Sequence, residues 1–111
     1  MARLYYVELP VREMAPAKAF YERAFGWSLT AFAPTYAATV TGDTDIGLQA
    51  DAAEATKAPL AVIHVDDLEA ALAAVEAAGG TIVRPIFPFP GGRRFHFLDP
   101  SGNELAAVRE G

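Results

Sequence analysis

One internal repeat constrains this chain more than any other feature in it. Laid on the second half without gaps, Tyr6-Val7-Glu8-Leu9-Pro10-Val11 falls on Leu60-Ala61-Val62-Ile63-His64-Val65, an offset of 54 positions. The register then holds: Met14 falls on Leu68, Ala17 on Ala71, Tyr21 on Val75, Ala24 on Ala78, Gly26 on Gly80 and Leu29 on Val83. Each half reads as strand, helix, helix-ending glycine, strand. A repeated unit of this size buries its own sheet poorly and seeks a partner surface, either the other copy in the chain or one across a dimer. The repeat therefore predicts a single domain over 1–111, with copies at 1–51 and 59–111 and a small, polar connector at 52–58.

The patterns within the repeat fix its elements. Val7, Leu9 and Val11 alternate with Tyr6, Glu8 and Pro10, which is a strand with one covered face. Met14, Ala17, Lys18, Tyr21, Ala24 and Phe25 recur at helical spacing, with Pro16 near the first turn and Gly26 as the stop. Strands are expected over 27–32, 36–41 and 46–50, with turn residues at Ala33-Pro34-Thr35 and Gly42-Asp43-Thr44-Asp45. In the second copy Leu60 to Val65 is a strand, and Asp66 or Asp67 caps a helix carrying Leu68, Ala71, Leu72, Val75 and Ala78. Thr81 to Arg84 is a strand, and the Pro- and Gly-rich stretch 85–92 is expected to be a loop. Phe95 to Leu98 and Glu104 to Val108 form a closing hairpin around Asp99-Pro100-Ser101-Gly102. The sum is α+β: two βαβββ modules whose mixed, curved sheets surround a shared cavity.

Composition narrows the function. Nine Lys and Arg against 14 Asp and Glu give a net charge of −5. Only Arg93 and Arg94 are adjacent, so a nucleic-acid partner is not expected. The chain has no cysteine, which removes disulfides, thiol nucleophiles and thiolate metal sites. No stretch reaches the roughly 20 apolar residues of a membrane span, and the first residues lack a signal-peptide layout. A cytoplasmic protein that does not engage membranes is the expectation.

Ala19-Phe20-Tyr21 with Phe25-Gly26-Trp27, Val65-Asp66-Asp67, Gly79-Gly80 and Asp99-Pro100-Ser101-Gly102-Asn103 occur in an order that resembles the vicinal oxygen chelate superfamily. That family comprises glyoxalases, bleomycin-resistance proteins and extradiol dioxygenases. The resemblance implies the glyoxalase-like fold, a homodimer, and a divalent metal held by His, Glu or Gln from the first and last strands of each half. Carried over by position, those ligand places fall on Tyr6, on Leu48 or Gln49, on Leu60 and on Ala106. Only Gln49 could donate to a metal, and a lone amide oxygen does not hold a divalent ion. The resemblance therefore points to a member with no metal and no cofactor, as in the bleomycin-resistance branch. The expected partner is a small hydrophobic or cationic molecule, bound by Tyr6, Glu8, Leu48, Gln49, Leu60, Val62, His64, Arg93, Glu104 and Ala106. The alternative is a glyoxalase-like lyase or a dioxygenase with displaced ligands among Glu8, Gln49, His64, His96 and Glu104.

Three of these residues are also candidates for acid–base chemistry. Glu8 sits mid-strand opposite the core face, where a carboxylate either binds a cation, acts as a base or forms an internal ion pair. His64 shares the face of Leu60 and Val62, as a proton carrier or as a rim histidine. His96 faces Glu104 across the closing hairpin, and its inward or outward orientation depends on a register the sequence does not fix. Arg93 and Arg94 end the expected loop, either as carboxylate clamps or as solvated charges. Phe87 and Phe89 in that loop are placed to cover a pocket or a subunit contact, and Phe20, Tyr21 and Trp27 are expected in the core.

Overall fold

In the computed structural model, which describes residues 2–111, the elements alternate as the repeat requires. They are β1 (Arg3–Pro10), α1 (Met14–Phe25), β2 (Thr30–Ala33), β3 (Tyr36–Ala38), β4 (Asp45–Gln49), β5 (Leu60–His64), α2 (Leu68–Ala77), β6 (Thr81–Phe89), β7 (Gly92–Leu98) and β8 (Glu104–Glu110). The chain divides into two compact units. The first is Tyr6–Leu60, and the second combines Ala61–Gly111 with the residues up to Tyr5.

In the first unit the strands lie in the order β2, β3, β4, β1. β1 and β4 run parallel, with Val7 opposite Ile46, Glu8 opposite Gly47 and Leu9 opposite Leu48. β3 runs antiparallel to β4 and to β2. Helix α1 covers one face of this sheet. Its Met14, Ala17 and Tyr21 pack with Leu9, Val11 and Ile46 on a buried cluster of Leu29, Ala37 and Leu48. Pro16 stands in the first turn of α1, where no intrahelical N–H is needed, and Gly26 ends the helix at φ 71° with its N–H on the Glu22 carbonyl. The other face, free of helix, carries Tyr6, Glu8, Pro10, Tyr36, Gly47 and Gln49 by strand alternation.

The second unit repeats the plan with β5, β8, β7, β6. β5 and β8 are parallel, with Val62 opposite Ala106 and Ile63 opposite Ala107; β7 is antiparallel to both β8 and β6. α2 begins at Asp67, whose side chain accepts from the Ala70 N–H at 3.0 Å, which decides between the two aspartates at that end. Its Leu68, Ala71, Leu72 and Val75 cover Val65, Phe95 and Ala107. The helix-free face here holds Val62, His64, Arg94, His96, Glu104, Ala106 and Val108.

Three local expectations are corrected. The stretch 85–92 is not a loop: β6 runs to Phe89 and β7 starts at Gly92, leaving Pro90-Gly91 as the turn. Pro85 and Pro88 are tolerated because β6 ends the strand order and fills a ladder on one side only, and its register shifts on both sides of Arg84. The strand expected from Trp27 starts only at Thr30. Finally, Phe20 and Trp27 are 58% and 40% exposed rather than core. Trp27 stacks with Phe25 and lies nearly parallel to Tyr21 at 5.7 Å, and Phe20 meets Tyr21 edge-on.

Candidate functional site

The ligand places carried over from the resemblance hold no metal donor set. Leu60 and Ala106 are apolar and have no exposed surface. Tyr6 shares a hydrogen bond with Tyr36 through their hydroxyls. Leu48 is in the core under α1 and so leaves the candidate face, which leaves Gln49 as the residue at that place. The Gln49 Oε1 accepts from the Asp51 N–H at 3.0 Å, closing a local turn. Among the described residues, no group of three or more His, Cys, Asp or Glu side chains could hold a metal ion. A divalent cation needs at least three converging donors, so the residues present do not fit the family's metal.

Of the expected lining residues, Leu48, Leu60, Val62 and Ala106 are buried. The half-buried candidates Tyr6, Gln49, His64 and Glu104 remain accessible.

On the helix-free face of the first unit, Tyr6 and Tyr36 meet over Gly47. A Cβ there would lie 1.9 Å from the Tyr6 hydroxyl and 2.3 Å from that of Tyr36, so glycine is what lets the two phenols sit on the strand. Glu8, opposite Gly47 on β1, is 6% exposed. Strand alternation puts the Glu8 carboxylate and the two phenols on the same face of this sheet.

On the helix-free face of the second unit, His96 is the centre. It is 2% exposed, and its Nδ1 lies 2.7 Å from Oε2 of Glu104. The pair is diagonal across β7 and β8: His96 is opposite Ala106 and Glu104 opposite Leu98. This is the cross-strand His–Glu contact that the sequence left open. Burial pushes the His96 pKa below its ordinary value; the Glu104 hydrogen bond opposes this, and the Arg94 and Arg84 charges reinforce it. A carboxylate only accepts, so the neutral ring carries its proton on Nδ1, and Nε2 is left as an acceptor. That Nε2 is buried without a hydrogen-bond partner.

Around His96 stand aromatic and cationic groups. The Phe87 ring is 5.8 Å from the imidazole. The Arg84 guanidinium lies over Phe87 at 3.8 Å and that of Arg94 at 5.3 Å. His64 packs edge-on against Tyr5 at 5.7 Å. Arg93, by contrast, faces α2: odd positions of β7 share the Phe95 face. Its guanidinium makes a two-pronged contact with Glu69 at 2.7 and 3.3 Å, so it ties strand to helix on the opposite side from His96. Phe89 and Gly92 line a shallow depression of about 580 Å³ with Arg93, Arg109 and Glu110 at the hairpin turn. None of the His96 cluster borders it.

Two units of strand, helix and three strands, each with a helix-covered and a helix-free face, define the paired βαβββ class of small α+β domain. The profile of the Glyoxalase/Bleomycin resistance protein/Dioxygenase superfamily matches residues 3–107, and the chain belongs to that superfamily. No curated protein matches its sequence. Among solved structures it is similar to a glyoxalase/bleomycin resistance protein/dioxygenase superfamily member from Vibrio splendidus, at 14% identity and a TM-score of 0.76 over 99% of this chain and 100% of that one. A protein from Legionella pneumophila described as an NAD-dependent benzaldehyde dehydrogenase gives 18% identity and 0.78 over 96% and 98%. Methylmalonyl-CoA epimerase from Mycobacterium tuberculosis gives 16% and 0.72 over 97% and 87%. Likeness at these identities shows the fold, and the differing activities in those names choose no reaction for this chain.

Proposed function

We propose that this chain is a metal-independent small-molecule binding protein of the glyoxalase/bleomycin-resistance type, taking a hydrophobic or cationic ligand. The observation that carries the reading is the donor set. Two of the four metal-ligand places are buried apolar residues, the third is a tyrosine bonded to another tyrosine, and the fourth is an amide engaged in its own turn. Glu8, with Tyr6 and Tyr36, supports the cationic preference through charge and aromatic faces.

Elemental analysis tests the first part, after incubation with nickel, manganese, zinc and ferrous iron and then desalting. Near-zero stoichiometry is expected, and about one metal per chain overturns the reading in favour of a metal-dependent enzyme. Thermal shift against choline and a panel of aromatic amines tests the second. Glu8→Gln is expected to weaken a bound cation by at least about tenfold, the loss of one charge-assisted contact. Unchanged affinity removes Glu8 from the site.

A further inference from the structure

We infer that the outward face of α1 docks a second copy of this chain, the two helices lying antiparallel with Glu13 of each copy against Arg23 of the other. The surface belongs to the first unit and lies on the helix-covered side of its sheet. The inference therefore goes beyond the ligand reading above, which concerns the opposite face, and does not rest on it.

The pattern of the helix is the first observation. A surface helix turns its apolar residues inward and its polar residues outward. In α1 the inward side is taken by Met14, Ala17 and Tyr21. On the outward side Glu13, Pro16, Phe20 and Arg23 follow one another at steps of three, four and three residues, the spacing of a helix-pairing seam. All four are exposed. Ala15 and Ala19 beside them are small enough for a second helix to approach closely. Phe20 is 58% exposed, and past the end of the helix Phe25 and Trp27, at 60% and 40%, stack on each other at 5.2 Å.

The occupant follows from the charges on this seam. Glu13 stands at the N-cap, where its side chain makes no capping hydrogen bond, and Arg23 stands in the last turn. Lys18 and Glu22 already pair with each other at 3.8 Å. Among the described residues Glu13 and Arg23 have no such partner. They lie roughly 15 Å apart along the axis. A face that is negative at one end and positive at the other is complementary to itself after a half-turn. With the two-fold axis level with Lys18, both Glu13–Arg23 contacts form at once, and Phe20 of each copy meets Pro16 of the other. A parallel pair, or a slip by one turn, loses both contacts.

Area sets the strength. An aromatic side chain carries about 150–250 Å², so Phe20, Phe25 and Trp27 at their exposures leave roughly 300 Å² of ring surface open. A stable interface takes about 800 Å² from each partner. One helix face falls short of that and has the size of a transient contact. The dimer is therefore expected to be weak, with Kd between about 10 μM and about 1 mM.

The test is sedimentation equilibrium of the full chain, from about 5 μM to about 2 mM. Glu13→Arg and Arg23→Glu each turn two attractions into two repulsions, and each alone is expected to weaken the dimer about tenfold. Mixed in equal amounts, the two variants should form a heterodimer about as tight as the wild-type pair. One copy then carries two positive ends and the other two negative ends. Phe20→Ser should weaken the dimer as well, and it decides if either charge reversal fails to fold; Val83→Ser on β6 is the unaffected control. A chain that stays monomeric at about 2 mM overturns the proposal. So does a dimer that neither reversal weakens, or a pair of variants that do not associate on mixing. A dimer indifferent to both charges leaves a homodimer through another face. None of these results bears on metal content or on choline binding, so the readings fail separately.

Discussion

A histidine that is 2% exposed and bonded to one carboxylate has its protonation set by the fold. Burial holds the His96 pKa below its ordinary value of 6.5, so between that value and the folded one the unfolded chain binds a proton that the folded chain refuses. Stability is then full above about pH 6.5 and falls as acid is added, through the folded pKa. Urea unfolding measured from pH 7.5 to 5 should show this loss, and His96→Gln should flatten it. An equally steep profile in the variant assigns the loss to other groups. Tyr5 does the reverse at alkaline pH. Burial, and then the Glu110 charge, raise its pKa to about 12. Its contribution is full below pH 10 and is lost as pH rises toward 12, so Tyr5→Phe should be the less alkali-sensitive protein in thermal melts.

At the scale of elements, the hairpin joining β6 to β7 holds Arg84, Phe87, Arg94 and His96 on one face, with Arg84 opposite His96 and Phe87 opposite Arg94. Gly92 begins β7 at φ 154°, and a Cβ there would lie 2.3 Å from the Arg109 carbonyl oxygen on β8. Backbone cannot move aside as a side-chain tip can. Gly92→Ala is therefore expected to cost about 2–4 kcal/mol, in the range of strain combined with lost pairing. Chemical denaturation of the variant checks this, and a change below about 0.5 kcal/mol, the scale of an ordinary surface substitution, would show that the strands separate there without penalty. The N-cap of α2 was legible in sequence, since Asp66 and Asp67 precede the apolar periodicity. The β6 strand was not, because three prolines and two glycines in 85–92 mimic a loop. Nothing local announces that β6 is an edge strand, the one setting in which those prolines fit.

For the whole molecule, two copies of one plan account for both units and for the match over residues 3–107. The homodimer expected from the sequence is proposed on the same footing as the ligand. Sedimentation equilibrium should give twice the 11.8 kDa chain mass, and the mass of one chain refutes it. The face assignments of Glu8 and His64 followed from strand alternation, which depends only on a period of two. The faces of His96 and Arg93 did not, because they depend on the β7–β8 register, and a slip of one residue exchanges them.

By itself the sequence determined the repeat, both helices with their stops and the α+β class, because periodicity and capping are local properties of the chain. Only the tertiary structure decided that Leu48, Leu60, Val62 and Ala106 are sealed from solvent, that Phe20 and Trp27 lie on the surface, and that His96 is buried on Glu104 with its second nitrogen unanswered. Burial and register are set by which strands become neighbours, and segments far apart in the chain settle that together.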